Sequence, residues 1–234
     1  LVALLFRMPT GLPAGRKDAK FSEVFSNNPN VNWLSFARVF LFGARDVWFV
    51  VGVPIYFYAA LSDGSEAGNR QAFFIVGSFM ALWIILYGSV QATAPRLLKA
   101  KDRNTQSLIA SARYWGAMLI GIPLVLALAT ALAPGPAQWL TVLLVFGLLL
   151  FGVIFAINSS LHSYLILAFT SSERVTLDVG FYYMANAAGR LIGTVLSGVS
   201  YQVGGMPLCL GCAGILLALN VFGVSLLRAD PVSA

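Results

Sequence analysis

Charged residues are scarce in this sequence. Asp, Glu, Lys and Arg make up 10% of its 234 residues, whereas an average soluble domain is about 25% charged. Hydrophobic residues account for 59% of the chain, and the mean hydropathy is +0.82. This balance excludes an ordinary soluble domain. It predicts an integral membrane protein in which each helix needs roughly 20 apolar residues to cross the lipid bilayer.

Residues that commonly carry catalysis or bind metals are equally rare. Cys209 and Cys212 form a CxxC pair, but no His, Asp, Glu or third Cys lies near them in the sequence. We therefore expect them to be small packing residues, with no metal or other cofactor. An intramembrane protease would need its serine and histidine on different helices. The one histidine, His162, shares its predicted helix with Ser159, Ser160 and Ser163, so we expect no enzyme.

The positive charge lacks the arrangement of a nucleic-acid-binding protein. The formal net charge is +6, but no basic block with interleaved aromatic residues is present, so we expect no nucleic-acid partner. Lys and Arg instead concentrate in alternate loops, which predicts that these loops and both ends of the helix set are cytoplasmic. The residues on this side are Arg7, Arg16, Lys17, Lys20, Arg96, Lys99, Lys101, Arg103, Arg174 and Arg228, and Arg70 lies on the other.

Six apolar stretches are separated by short breaks rich in Gly, Pro and Ser. They cover residues 33–61, 71–93, 107–132, 138–168, 178–202 and 207–227. We interpret residues 1–32 as the end of helix six followed by a cytoplasmic central loop, and residues 33–234 as a C-terminal six-helix transmembrane domain. The chain would then be a fragment, the second half of a twelve-helix, two-repeat transporter whose missing N-terminal half has six further helices.

The first apolar stretch carries charges near its middle, where ionisable residues are costly and mark functional sites. Arg38 and Arg45 are seven residues apart and share a helix face. Asp46 lies about 100° round the helix from Arg45, so we expect that it cannot lie alongside Arg45 and needs a partner on another helix, or a proton. Two interpretations stay open: a structural ion-pair network, or coupling to a substrate or to protons.

The fifth apolar stretch has two distinct faces. Gly189, Gly193 and Ser197 recur every four residues, a pattern that lets helices approach closely. Asn186 and Arg190, also four residues apart, form a polar stripe. This stripe predicts a carboxylate or another anion as its partner.

Two polar residues of the fourth stretch, Asn158 and His162, are also four residues apart. His162 is either a hydrogen-bonded packing residue or a proton relay, since its ordinary pKa lies near neutrality. Across the predicted helices, arginines outnumber the one deeply placed acid, Asp46. This imbalance favours a small anionic substrate, because arginine binds carboxylate, phosphate or arsenate through two parallel hydrogen bonds.

Three strings carry a family resemblance. They are ARVFLFGARDVWFVV at 37–51, YGSVQATAPR at 87–96 and GFYYMANAAGR at 180–190. Together they resemble the organoarsenical efflux permeases of the ArsJ type, a bacterial branch of the major facilitator superfamily. The loop motif that usually follows the eighth helix of that superfamily is reduced here to Gly88 and the basic run 96–103.

The resemblance implies a multi-pass protein of the bacterial cell (inner) membrane that works by alternating access. Its implied substrate is 1-arseno-3-phosphoglycerate, which a glyceraldehyde-3-phosphate dehydrogenase makes from arsenate inside the cell, so that export confers arsenate resistance. The partners are then the anionic substrate and the lipid bilayer, with a functional link to the dehydrogenase. The alternative is a major facilitator carrier for another phosphorylated or carboxylated metabolite, or for a drug.

These expectations assign roles to six residues. Arg45 and Arg190 hold the substrate near the middle of the membrane, and Asn186 and Asn158 orient it. Asp46 or His162 couples transport to protons or balances charge.

Overall fold

The computed structural model describes residues 25–99 and 102–229, in which no strand occurs and all six elements of ten residues or more are α-helices. Five stretches of the described chain are long and apolar enough to cross a membrane, which confirms the all-α class and agrees with a membrane protein. The predicted end of helix six and most of the basic loop, residues 1–24, lie outside the described residues. The helices are α1 (Pro29–Phe49), α2 (Gly52–Leu61), α3 (Glu66–Leu97), α4 (Thr105–Leu132), α5 (Gln138–Phe169) and α6 (Val175–Ser225).

The first predicted span, 33–61, is interrupted between α1 and α2. Pro54 has no N–H, and its ring crowds the carbonyl group of Val50, four residues earlier, so a continuous helix is disfavoured here. The N–H of Val51 instead donates a hydrogen bond of 3.1 Å to Ser197 Oγ on α6. The predicted span agrees with Pro29–Leu61, which is long and apolar enough to cross a membrane, but its interruption was not predicted. The break is held by a neighbouring helix.

The long helix α6 folds back on itself at Gly204 and Gly205, whose backbone angles are not helical. Gly205 has φ +63°, a conformation that residues with a side chain rarely adopt. Cys209 Sγ lies 3.2 Å from Ser200 Oγ, although nine residues along a straight helix span about 13 Å. The two arms, residues 175–203 and 206–225, coincide closely with the predicted stretches 178–202 and 207–227.

Basic residues collect at one end of the helix bundle. Asn28 Nδ2 donates to the carbonyl oxygen of Phe169 (2.8 Å), and Asn30 Nδ2 donates to that of Arg228 (2.9 Å). The start of α1 therefore lies beside the ends of α5 and α6. The basic residues at this end of the described chain are Arg96, Lys99, Arg103, Arg174 and Arg228, while Arg70 lies at the start of α3 at the opposite end.

The core is built around α1, which packs against both arms of α6. Asn220 Nδ2, on the second arm, donates to the carbonyl oxygen of Ala37 at 2.9 Å. The ring of Trp48 meets the rings of Trp83 on α3 and Phe151 on α5 at 5.6 Å and 5.3 Å. Helix α4 packs against α5 and the second arm of α6, whereas most apolar side chains of α3 remain exposed. The first arm of α6 stands beside α1 with Arg190 at an open face.

Candidate functional site

Three charged residues predicted from the sequence meet between α1 and the first arm of α6. Arg45 approaches Asp46 Oδ1 through both Nε and Nη2, each at 2.6 Å. Arg190 Nε donates to the other carboxylate oxygen, Oδ2, at 3.2 Å. Asp46 therefore bridges two arginines from different helices.

The expectation that Asp46 cannot lie alongside Arg45 is wrong. A helical wheel gives the direction of each Cα–Cβ bond, and adjacent residues point about 100° apart. The long side chain of Arg45 curls round the helix and reaches its neighbour. The expectation that Asp46 also needs a partner on another helix is confirmed, because Arg190 supplies one.

The three side chains differ sharply in exposure. Asp46 is 2% exposed and Arg45 is 11% exposed, whereas 60% of the Arg190 side chain is open. Arg190 lies near the middle of the first arm of α6, so an exposed charge at this position sits at membrane depth. Arg45 and Asp46 form a nearly enclosed neutral pair, and Arg190 is an accessible positive charge attached to it.

A buried arginine that the sequence analysis did not assign to the site, Arg38, extends this charged region along α1. It is 3% exposed, and its Nη1 donates to the carbonyl oxygen and the hydroxyl oxygen of Ser159, at 3.2 Å and 3.0 Å. Its guanidinium carbon lies 4.1 Å from the ring centre of Phe42 and 4.7 Å from that of Tyr182. The shared helix face of Arg38 and Arg45 was the signal that pointed to it.

Phe42 lies between the two guanidinium groups of α1. The Arg45 guanidinium carbon is 4.9 Å from the centre of its ring and 5.7 Å from that of Phe155 on α5. Such cation–π contacts each contribute about 0.5–2 kcal/mol and leave part of the guanidinium available to hydrogen-bond acceptors. The aromatic rings thus hold two positive charges close together inside an apolar helix pair.

Glycines bring α1 and α6 into backbone contact beside the site. A Cβ atom on Gly189 would collide with the carbonyl oxygen of Val39, and one on Gly193 would lie 2.5 Å from that of Gly43. The predicted close approach at Gly189 and Gly193 is therefore confirmed. This approach carries Arg190 to Asp46, because a wider helix separation would exceed the reach of the hydrogen bond.

Asn186 lies one turn before Arg190 and is partly exposed. Its Oδ1 atom is buried and has no hydrogen-bond partner within the described residues. The polar stripe predicted on α6 therefore borders the charged group, and Asn186 adds an acceptor that can take a hydrogen bond only from a donor such as a hydroxyl group.

The remaining two predicted site residues lie deeper in the bundle. Asn158 and His162 are both fully buried. The amide nitrogen of Asn158 and Oδ1 of Asn220 both lie close to Gly116 of α4. Within residues 25–99 and 102–229, no hydrogen bond or ion pair joins Asn158 or His162 to Arg45 or Arg190.

The two cysteines lie in the second arm of α6, away from the charged group. Cys209 is buried against Ser200, and Cys212 is partly buried. No group of three or more potential metal ligands occurs in the part of the chain that the structure describes.

The charge balance determines what this region can bind. Arg38, Arg45 and Arg190 are accompanied by one carboxylate, Asp46, which leaves an excess of positive charge among the described residues of the region. Arginines at membrane depth need counter-charges. The arrangement therefore suits an anion that approaches through the open side of Arg190.

Comparison with protein-family models, with curated proteins and with solved structures finds no match to this chain. The resemblance carried by residues 37–51, 87–96 and 180–190 thus remains an expectation from the sequence. The function has to be argued from the charged site and from the arrangement of the helices.

Proposed function

We propose that this chain is half of a membrane carrier that binds a small anion between Arg45 and Arg190 and exports it by alternating access. The observation that carries the proposal is the exposure of Arg190 and its incomplete pairing with a carboxylate. It lies in the middle of an apolar helix, is 60% exposed, and shares the carboxylate of Asp46 with Arg45. In a purely structural ion pair at membrane depth, we would expect both charged side chains to be buried inside the protein.

The proposed architecture has six membrane-spanning segments. The break between α1 and α2 is bridged by Ser197, and the second arm of α6, residues 206–225, is about 30 Å long, enough to cross the hydrocarbon core. Discontinuous helices beside a central site are common in transporters. We place the basic end in the cytoplasm of a bacterial cell, on the positive-inside rule, and assign the other half of the cavity to six helices of a major facilitator N-terminal half.

The proposed substrate is an organoarsenical phosphoester, 1-arseno-3-phosphoglycerate, delivered by a glyceraldehyde-3-phosphate dehydrogenase. This choice rests on the three resembling strings. The site supports its chemical class, because guanidinium groups match the oxygens of phosphate and arsenate in geometry and charge. Another phosphorylated or carboxylated metabolite would satisfy the same arginines.

The roles of the other residues follow from their positions. Asn186, one turn from Arg190, orients the substrate by accepting a hydrogen bond from a substrate hydroxyl group at its Oδ1. Asp46 balances the two arginines or accepts a proton when substrate binds. Asn158 remains a candidate for orienting the substrate, and His162 for coupling transport to protons. Both are buried, and both have side-chain nitrogen or oxygen atoms without a hydrogen-bond partner among the described residues.

Conservative replacement of the arginines tests the proposal. Arg45→Lys and Arg190→Lys keep the charge but lose the two-pronged hydrogen bonding, so we expect at least about a tenfold loss of arsenate resistance. Resistance is measured in cells that express the full-length protein at matched membrane levels. Arg70→Lys, at the start of α3 and outside the site, is the matched control. Full resistance in both site variants would refute the anion-binding assignment.

The identity of the substrate needs a separate comparison. Export of labelled arsenic is measured in cells with and without the dehydrogenase. We expect export only when the dehydrogenase is present. Export that does not depend on the dehydrogenase would favour a carrier of another anion.

A further inference from the structure

The charged site contains an anion of its own, the carboxylate of Asp46. We infer that Asp46 is a built-in competitor of the substrate: it occupies Arg190 in the substrate-free protein, and the substrate takes its place at that arginine. Asp46 then sets a threshold for binding: it lowers the apparent affinity of every anion by the same factor, so that at a given concentration only anions that bind Arg190 better than a carboxylate occupy the site. This inference rests on the proposed anion transport and adds to it a rule for substrate choice.

The two arginines hold Asp46 unequally. Arg45 contacts one carboxylate oxygen through two nitrogen atoms at 2.6 Å, and its side chain is 11% exposed. Arg190 makes one contact, at 3.2 Å, from a side chain that is 60% exposed. In the water-filled cavity that the proposed transport requires, solvent screens a pair of this second kind, and the pair then contributes little to stability. The contact with Arg190 is therefore the one that an incoming anion can replace.

Asp46 itself has little freedom to leave. Its Cβ lies so close to α6 that a Cβ atom added to Gly193 would be 3.0 Å from it. The backbones of α1 and α6 touch at Gly43 and Gly193. The exchange therefore requires movement of the Arg190 side chain, which is long and open on one side. Arg45 continues to neutralise Asp46 after the exchange, so no carboxylate is left buried without a partner.

The competition predicts which anions are favoured. A monocarboxylate offers Arg190 the same group that Asp46 already presents, so it gains little from the exchange. A phosphate or arsenate dianion carries more charge, and it has acceptor oxygens beyond the two that a carboxylate offers to one edge of the guanidinium. The site should thus prefer phosphoryl-type or arsenyl-type dianions over monocarboxylates.

Substitutions at Asp46 test the inference by changing the competitor. Asp46→Asn removes its charge while keeping its shape, so we expect inorganic phosphate and arsenate to bind about three- to tenfold more tightly. Asp46→Glu extends the carboxylate towards Arg190 and should weaken binding of the same anions. Binding is measured by titration calorimetry on the purified full-length protein, with acetate as the monocarboxylate.

An exposed acid provides the matched control. Hydrogen bonds from the hydroxyl and N–H of Ser65 keep the pKa of Asp63 below its ordinary value, so Asp63→Asn also removes one negative charge at neutral pH. We expect this control to bind anions like the wild type, in which phosphate outcompetes acetate. In Asp46→Asn, binding of phosphate and of acetate should both become tighter, by a similar factor.

The outcomes separate the inference from the proposed function. Tighter binding in Asp46→Asn and weaker binding in Asp46→Glu support the competition. Unchanged or weaker binding in Asp46→Asn, with normal binding in the wild type, overturns the competition and leaves anion transport standing. If Asp46→Asn does not fold, the Asp46→Glu comparison decides, since equal or tighter binding there also overturns the inference. No anion binding by the wild type overturns both.

Discussion

Arg38 and Arg45 are chemically identical residues on one face of α1, but their surroundings differ. Arg45 contacts the carboxylate of Asp46 at 2.6 Å. Arg38 is more deeply buried and, within the described ranges, has no carboxylate partner; it relies on Ser159 and on the rings of Phe42 and Tyr182. A buried charge without an opposite charge is costly, so the two arginines contribute differently to stability.

Replacing each arginine by methionine should reveal this difference. Arg38→Met removes an uncompensated buried charge and keeps much of the side-chain volume, so we expect an unchanged or higher Tm. Arg45→Met leaves Asp46 without its closest partner and should cost on the order of 3 kcal/mol. Thermal unfolding of the detergent-solubilised protein measures both. An equal loss in the two variants would show that Arg38 has a stabilising counter-charge that the described residues do not contain.

The sequence was enough to predict which residues form the charged site, but not which of their side chains reach one another. Depth in an apolar stretch was enough to predict that Arg45, Asp46 and Arg190 belong to a charged group, and the structure brings them together. The angle between neighbouring residues on a helix did not predict the contact between Arg45 and Asp46, because it ignores the flexible length of arginine. The rings around Arg38 come partly from Tyr182 on another helix, so no local pattern could reveal them.

The contact between α1 and the first arm of α6 fixes the geometry of the site. Gly43, Gly189 and Gly193 let the two backbones touch, and Asp46 and Arg190 meet beside this contact. In a membrane, lipid tails are as apolar as the side chains, so small residues and close packing hold helices together. A slight separation of the helices should therefore change both stability and anion binding.

A single methyl group at this contact should have both effects. In Gly193→Ala, the new Cβ would lie 2.5 Å from the carbonyl oxygen of Gly43 and 3.0 Å from Asp46 Cβ, so the helices must move apart. We expect a loss of about 1–3 kcal/mol in the free energy of unfolding. Anion binding should change as well, because Arg190 moves away from both Asp46 and Arg45. Thermal unfolding and titration calorimetry measure the two effects.

Gly198→Ala is the control for this substitution. Gly198 lies five residues further along the same arm, and a Cβ there meets nothing within 4 Å. Alanine is favoured over glycine inside a helix by about 1 kcal/mol, so this variant should be as stable as the wild type or more so. A Gly193→Ala protein that behaves like Gly198→Ala would show that the helices are not held by this contact.

The positions of the helices were predictable, but their interruptions were only partly so. Apolar length places α3, α4 and α5 within a few residues, since a membrane-spanning helix has a minimum length. The break before α2 was missed because hydropathy does not register backbone geometry, although Gly52 and Pro54 together were a signal for it. Gly204 and Gly205 were recognised as a break, and the structure adds that the two arms stay packed together around Cys209.

At the scale of the whole molecule, the bundle has one basic end and two faces that the described chain leaves open. Helix α3 exposes most of its apolar residues, among them Phe73, Leu82 and Ile85, and the first arm of α6 exposes Leu191 and Val195 beside Arg190. Lipid can cover the apolar side chains, but an exposed arginine at this depth needs a polar environment. The proposed second half of the carrier would cover the open face at Arg190 and enclose a polar substrate cavity there.

The path of the chain across the membrane can be tested with single cysteines in a background of Cys209→Ala and Cys212→Ala. Gly135→Cys lies in the loop between α4 and α5, Ser172→Cys in the loop between α5 and α6, and Ala229→Cys follows the second arm of α6. In intact cells we expect an impermeant maleimide to label Gly135→Cys alone, because the proposed orientation places the basic end in the cytoplasm. Ser172→Cys and Ala229→Cys should react only after the membrane is permeabilised.

The comparison between Ser172→Cys and Ala229→Cys is decisive for α6. If both arms cross the bilayer, these two positions lie on the same side, since the chain crosses twice between them. Labelling of Ala229→Cys in intact cells, with Ser172→Cys protected, would mean that α6 crosses only once and would refute the six-segment arrangement. Labelling of Ser172→Cys and Ala229→Cys with Gly135→Cys protected would keep the six segments but reverse them. The basic end would then face outward, and the proposed direction of export would have to be abandoned.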